Sequence, residues 1–529
     1  MGLLPSSKPG LHRSARSERG APASEEHAQV TRSLTRGGVA LLANSGLTAA
    51  LGVAFWLVAA RLLTTTTVGR GSALVAALLT VSGLSQVNYA RALSGLLPQA
   101  HRPRRLLARV YGITVGLSFI VGLASALILP KISKDFGYVR GDVVFIAIFT
   151  VSVGLWTIFN LEDAALTSVR RATIVPFENG TYGVLKLVCL VALWRIGDRG
   201  SLAVFIAWVL PLIAVIIPVN LFLYLRAVPP SAARPAEPMR RSPPWLRYDF
   251  VGYLLWLAGT LPLPVLVLIT AGAANSASFY VCFTIASAID LLCLMLGNSL
   301  TAELSRTDGM MTPATRSHLL RVWAAVGFLA VVIFAVAPEV LQVFGDKYKA
   351  AGSIVLRIFM IATLPRSVLF MGIAIQRSRG NGPAILLLQA IASVGTLGLG
   401  LALAHSLGAP GITVGWLVAS CAAALVSMLF LGGGGWRGRG SRRAPRPGLA
   451  ERVPWAAELP GFNLLVTRRS ARRRSLGPAQ AMATVASQGD GLPDEQARSG
   501  DVMPRPVVMW EPSGDTMPLP VVMWDSSNK

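Results

Sequence analysis

Residues 200–225 read GSLAVFIAWVLPLIAVIIPVNLFLYL, a run without a single Asp, Glu, Lys, Arg or His. Bilayer hydrocarbon is about 30 Å thick and a helix rises about 1.5 Å per residue, so roughly 20 apolar residues cross it. Lipid offers no water to backbone N–H and C=O groups, so a crossing run must pair them internally, as a helix. Outward from this stretch, charge-free runs recur at 39–60, 71–90, 110–130, 143–161, 250–271, 322–338, 380–404 and 410–432. Three more, at 172–194, 274–302 and 350–376, are as apolar but carry one or two charged residues each. The sequence therefore predicts an all-α polytopic membrane protein of twelve transmembrane helices.

Composition agrees. Hydrophobic residues make up 53% of the 529, and mean hydropathy is +0.57, too apolar for a soluble chain of this length. A net charge of +24 would suggest nucleic acid on a soluble protein. Here the basic residues collect in alternate loops, which is the pattern that orients membrane proteins, and no nucleic-acid partner is expected. One side takes Lys8, Arg13, Arg16, Arg19, Arg32 and Arg36, then Arg102, Arg104, Arg105 and Arg109, then Arg170 and Arg171. Arg226, Arg234, Arg240, Arg241 and Arg247 follow, then Arg306, Arg316 and Arg321, then Arg377 and Arg379, and finally Arg437 to Arg443. The opposite loops are poorer or mixed, as in Lys131, Lys134 and Arg140 beside Asp135 and Asp142. The expected location is the plasma membrane, multi-pass, with both termini cytoplasmic. The first 36 residues hold no apolar core, so the first span is expected to act as an uncleaved anchor.

The halves look like distant copies. Arg105-Leu106-Leu107-Ala108-Arg109-Val110 leads into the third span, and His318-Leu319-Leu320-Arg321-Val322 into the ninth. Ser168-Val169-Arg170-Arg171 closes the fourth span and Gln376-Arg377-Ser378-Arg379 the tenth. The offset is about 207–212 residues in both places, and six spans separate the copies, so they share orientation, like parallel repeats about the membrane normal. The expected organisation is an N-terminal tail (1–34), an N-lobe of six helices (35–225), a Pro/Arg linker (226–247), a C-lobe of six helices (248–432) and a basic tail (433–529). Both tails are too polar or too rich in Pro, Gly and Arg for burial to offset ordering entropy. The C-terminal tail repeats a motif, Met503 to Trp510 and again Met517 to Trp524. It is either a docking site for a glycan-biosynthesis partner protein or for the membrane interface, or a neutral duplication.

Several segments resemble the polysaccharide-flippase branch of the multidrug/oligosaccharidyl-lipid/polysaccharide exporter superfamily. They are Arg36-Gly37-Gly38, then Phe55 to Leu63 with its Ala60-Arg61-Leu62-Leu63 turn, then Val68 to Ser72. Phe344 to Gly352 before Leu356-Arg357-Ile358, and Gly408 to Ile412, resemble the matching turns of the second half. The chain departs at Thr64 to Thr67, where a Pro-Glu-like pair is usual. The resemblance covers about 34–432. It implies two lobes in a V, alternating access, and as cargo an undecaprenyl-pyrophosphate-linked oligosaccharide among the membrane lipids. The alternative is an ion-coupled drug or metabolite exporter of the same superfamily. Peptidoglycan-precursor flippases usually carry 14 spans, and glycan polymerases or ligases usually need a large outer loop that is missing here.

Charges near the bilayer centre are costly, about 2.5–3.5 kcal/mol on insertion scales, and mark function by default. Given a pyrophosphate cargo, Arg366 and Lys186 are candidates for the headgroup, since guanidinium and ammonium both bind its oxygens, and Arg91 is a weaker third. Asp290 is the candidate for a coupling cation or proton. The plainer reading is an ion pair between Asp290 and one of the bases. Asp163 and Glu178 read as helix-end charges, and Arg357 as a charge near the outer end of its span. Pro211 and Pro218, and Pro262 and Pro264, should bend the helices flanking the linker, and a kink is expected at Pro365. Cys189, Cys282, Cys293 and Cys421 lack ligand spacing and read as small core hydrophobes. No metal, cofactor, nucleotide loop or catalytic triad is indicated, so a non-enzymatic transporter is expected.

Overall fold

The computed structural model describes residues 21–86, 89, 93, 96–230, 245–306, 312–432, 506–513 and 516–524. Twelve helices in it are long and apolar enough to cross a membrane. Spans 1 to 6 are Ala43–Leu62, Thr65–Ser85, Pro103–Ile132, Val143–Ser168, Ala172–Arg195 and Ser201–Ala227. Spans 7 to 12 are Trp245–Ala271, Ala273–Thr301, Thr315–Ala335, Asp346–Ser378, Gly382–Leu407 and Ala409–Phe430.

Boundaries shift where polar residues serve the helix instead of ending it. Span 2 begins at Thr65 because Thr64, extended in backbone, accepts the Thr67 N–H at 3.2 Å and caps the helix. That is the N-cap role expected of a hydroxyl residue. The helix of span 1 reaches back to Ala21, past the expected tail boundary. Span 7 is two helices, Trp245–Thr260 and Leu263–Ala271, with Leu261 and Pro262 at the break. Span 6 runs on as helix through Pro211 and Pro218, and span 10 through Pro365. Of the expected linker, 231–244 lies outside the described residues. In the C-terminal segment, Pro506–Ser513 and Thr516–Trp524 pair antiparallel, so the two copies of the repeat face each other. The expectation of disorder for the remainder of 433–529 falls outside the described residues.

The packing repeats as the sequence does. In the first half, span 1 packs on span 5, span 5 on 6, span 3 on 4, span 2 on 4, and span 4 on 6. Six spans on, 7 packs on 11, 11 on 12, 9 on 10, 8 on 10, and 10 on 12. Two six-helix lobes related by a pseudo-two-fold repeat follow. Lipid tails are as apolar as the side chains, so close approach through small residues holds such bundles together. Between spans 11 and 12, a Cβ on Gly415 would lie 2.4 Å from the backbone nitrogen of Gly400. Only a bare backbone fits.

The lobes meet through spans 2 and 8, 2 and 7, and 1 and 8. Most of the close crossings lie toward the face opposite the arginine-rich loops, called here the far face. Gly69 of span 2 approaches the Ala273 carbonyl so closely that a Cβ there would sit 1.8 Å from its oxygen. Arg61, at the end of span 1, donates from Nε to the Val343 carbonyl at 2.7 Å and from Nη2 to that of Gln342 at 3.3 Å. Trp56 and Tyr280 meet across the boundary at 4.6 Å between ring centroids.

Candidate functional site

Span 5 places Lys186 about 21 Å along its helix from Ala172, at the arginine-rich face. The side chain is buried, and its ammonium lies over three rings: Trp208 at 4.0 Å, Tyr182 at 5.0 Å and Phe55 at 5.7 Å. Trp208 is fixed by stacking on Trp56 and by Tyr182, whose hydroxyl donates to its carbonyl at 2.9 Å. A cation over a tryptophan face is held by the ring quadrupole, about 2 kcal/mol when desolvated. Phe55 and Trp56 come from span 1 and Trp208 from span 6, so three helices of the N-lobe build this cage.

In the C-lobe, Arg366 lies 12 residues, about 18 Å, from the Ser378 end of span 10. It is 4% exposed. Its guanidinium carbon sits 4.0 Å from the Trp416 ring and 5.4 Å from that of Phe370, and Nε donates to Asp290 Oδ2 at 2.7 Å. Phe283 and Phe359 pack edge-on against Trp416. The plainer alternative for Asp290 is therefore the geometry found, with Arg366 as the base, and Lys186 stands apart in its own cage. Trp208 and Trp416 are 208 positions apart, within the repeat offset. Each lobe thus carries a buried cation 4.0 Å over the tryptophan of equivalent helices, spans 6 and 12. The cations themselves come from non-equivalent helices, span 5 in one lobe and span 10 in the other.

The third headgroup candidate, Arg91, lies outside the described residues. Glu178 lies in the first turn of its helix, as a helix-end charge should, and Asp163 five residues before the end of its own. Both are buried, and with Glu162, Asn179 and Asn220 they form a polar knot inside the N-lobe. Asn179 donates to Asp163 at 3.4 Å, and Asn220 donates to Glu162. Neither oxygen of Glu178 receives a donor. Glu162 escapes a search by charge-free runs because such a run ends at the first carboxylate, whereas the helix continues to Ser168.

Arg377 also departs from expectation. Instead of a loop charge it is buried, donating from Nε and Nη2 to Asp249 Oδ1 at 3.0 and 2.8 Å, which ties span 10 to the start of span 7. Arg357 donates to the Phe334 carbonyl at 3.3 Å, near the far face. Of the cysteines, all free, Cys282 and Cys293 are buried as expected, whereas Cys189 is half-buried and Cys421 exposed. Among the described residues no group of His, Cys, Asp and Glu could hold a metal ion.

The fold is a bundle of twelve helices of membrane-crossing length in two repeated lobes. Solved structures share it. A MATE in complex with MaL6 superposes with a TM-score of 0.51 at 16% identity, over 75% of this chain and 94% of that one. The inward-facing conformation of a multidrug resistance MATE family transporter gives 0.50 at 18% identity, over 72% and 93%. A MOP superfamily transporter from Pyrococcus furiosus, described as having a binding pocket of reverse polarity, gives 0.50 at 14%, over 75% and 94%. At such identities the likeness is one of fold. No protein-family model matches the chain, and no curated protein matches it.

Proposed function

We propose that this protein carries a lipid-linked oligosaccharide, or a related anionic glycolipid, from the cytoplasmic to the outer leaflet of the plasma membrane by alternating access, for surface or exopolysaccharide biosynthesis. The observation that carries this reading is the pair of mid-depth cations, Lys186 and Arg366, one per lobe, each fixed over a tryptophan. A pyrophosphate bears at least two negative charges, which suits a bundle with a buried cation in each lobe, while flat aromatic plates suit the apolar faces of sugar rings. Charges buried within a membrane bundle are costly and mark function by default. With the arginine-rich face cytoplasmic, the far face is the outer one. Arg61, Gly69 and Trp56 then close the outer gate, and the conformation is the one that loads from the cytoplasm.

The test is flipping of a fluorescent polyprenyl-pyrophosphate sugar by the purified protein in proteoliposomes. Arg366→Ala and Lys186→Ala should each slow flipping at least tenfold with the protein still folded. Wild-type rates in both variants would sink the assignment. A second reading, export of cationic drugs or metabolites, is favoured by the buried Glu162 and Glu178. Under it, Glu178→Gln would sensitise cells to cationic drugs while Arg366→Ala would leave resistance unchanged.

A further inference from the structure

Arg366 is a cation with most of its bonding capacity unused. A guanidinium presents five N–H donors in a rigid fork. Here Nε donates to Asp290 Oδ2 at 2.7 Å, and neither Nη nitrogen finds an acceptor among the described residues. The second buried ion pair of the C-lobe differs on both counts that matter. Arg377 engages Asp249 with two nitrogens, and the side chains are 4% and 0% exposed. Arg366 engages Asp290 with one, and the aspartate side chain keeps 15% of its surface accessible against 5% for the arginine. One pair is doubly bonded and sealed. The other is singly bonded, with its acid partly accessible.

The arginine does not depend on Asp290 for its place. Trp416 holds the guanidinium from its face at 4.0 Å and Phe370 from 5.4 Å. Both contacts survive if the carboxylate swings away, and the free Nη edge would then complete a two-pronged site for a planar or tetrahedral oxyanion.

We infer that Asp290 is an internal stand-in for the cargo's oxyanion: it occupies Arg366 while the carrier is empty and is displaced when a phosphate or pyrophosphate group arrives. This rests on the anionic-cargo reading above and gives Asp290 a role other than binding a coupling ion. The exchange keeps Arg366 neutralised in both states. The empty carrier returns with its own carboxylate on the arginine, and the loaded carrier crosses with the cargo's oxygens there, Asp290 facing the accessible side. The cost is paid in affinity, because the apparent dissociation constant is the intrinsic one divided by the fraction of time Arg366 is free of Asp290.

Inorganic pyrophosphate, titrated calorimetrically into the full chain in lipid nanodiscs, separates the two layers. Wild-type binding that is lost in Arg366→Ala supports the anionic-cargo reading; a wild-type protein that takes no pyrophosphate overturns both. If Asp290 holds the arginine about nine-tenths of the time, Asp290→Asn should bind pyrophosphate about tenfold more tightly. Asp290→Glu, which keeps a competing carboxylate, should bind no more tightly than wild type. Pyrophosphate binding in Asp290→Asn that is equal to or weaker than wild type, with Arg366→Ala still inactive, overturns the exchange alone. Should Asp290→Asn fail to fold, Asp290→Ser removes the same competitor and carries the same expectation.

Discussion

Replacing Gly69 by alanine should wedge the lobes apart at the far face. In the structure the added Cβ would lie 1.8 Å from the Ala273 carbonyl oxygen and 2.6 Å from its carbon. Relaxed contacts between such atoms are about 3.5 Å, so the backbones must separate by more than an ångström. Neither partner is a side chain that can turn aside. Overpacking of this kind costs about 1–3 kcal/mol, and alanine in place of glycine within a helix returns about 1 kcal/mol in every conformation. The helix propensity is common to all states, whereas the clash exists only where the far face is closed. The closed population should therefore fall about 5- to 150-fold relative to the open one. Spin labels at Arg140 and Lys347, exposed on the far-face side of the two lobes, report this as a distance distribution in a cysteine-free background. A shift to longer distances is expected and, under the proposed function, slower flipping because the far-face gate no longer seals. An unchanged distribution in a folded Gly69→Ala protein would show that the approach of span 2 to Ala273 does not control closure.

Arg61→Ala removes two charge-assisted bonds to the carbonyls of Gln342 and Val343. Because the arginine is exposed, the loss should be about 1 kcal/mol, a roughly fivefold shift of the same spin-label equilibrium in the same direction. Asp249→Ala removes the carboxylate that takes two bonds from the buried Arg377 and should cost about 3–5 kcal/mol, read as a large drop in melting temperature. The double change to Asp249→Leu and Arg377→Leu should recover most of it, and no recovery would mean that the pair is valued for more than its charges. Truncation after Gly440 should leave the melting temperature and membrane insertion unchanged, which would fail if the core depends on the tail. Changing both Trp510 and Trp524 to Ala should lower export in cells but not transport by the purified protein if the repeat docks a partner.

Span number and the six-helix repeat are legible in the sequence because lipid leaves the backbone no alternative to helices. Trp208 and Trp416 obey the same offset as the arginine-rich turns, so the matched aromatic plates were readable too, once the offset was applied inside the spans. Pairings were not. Whether Asp290 meets Arg366 or Lys186 depends on how spans 5, 8 and 10 rotate about their axes, and rotation is set by packing that no single helix encodes. Charge misleads in a systematic way. Bounding spans by charge-free runs started span 2 after Arg70, whose side chain instead leaves the helix to pair with Asp135 at 3.0 Å. The same habit placed Arg377 in a loop, whereas it is buried against Asp249.

The two tryptophan-mounted cations have a consequence for direction. Were each half to carry its cation on the same helix, the two lobes would look alike after a half turn. Spans 6 and 12 preserve the plate, but an ammonium from span 5 faces one and a guanidinium from span 10 the other. A point charge accepts a group from many angles, whereas a fork accepts it in one plane. Under the proposed function, a ligand that reached both would meet two unlike grips. The repeat gives the frame its symmetry, and the unlike cations give that frame a head and a tail.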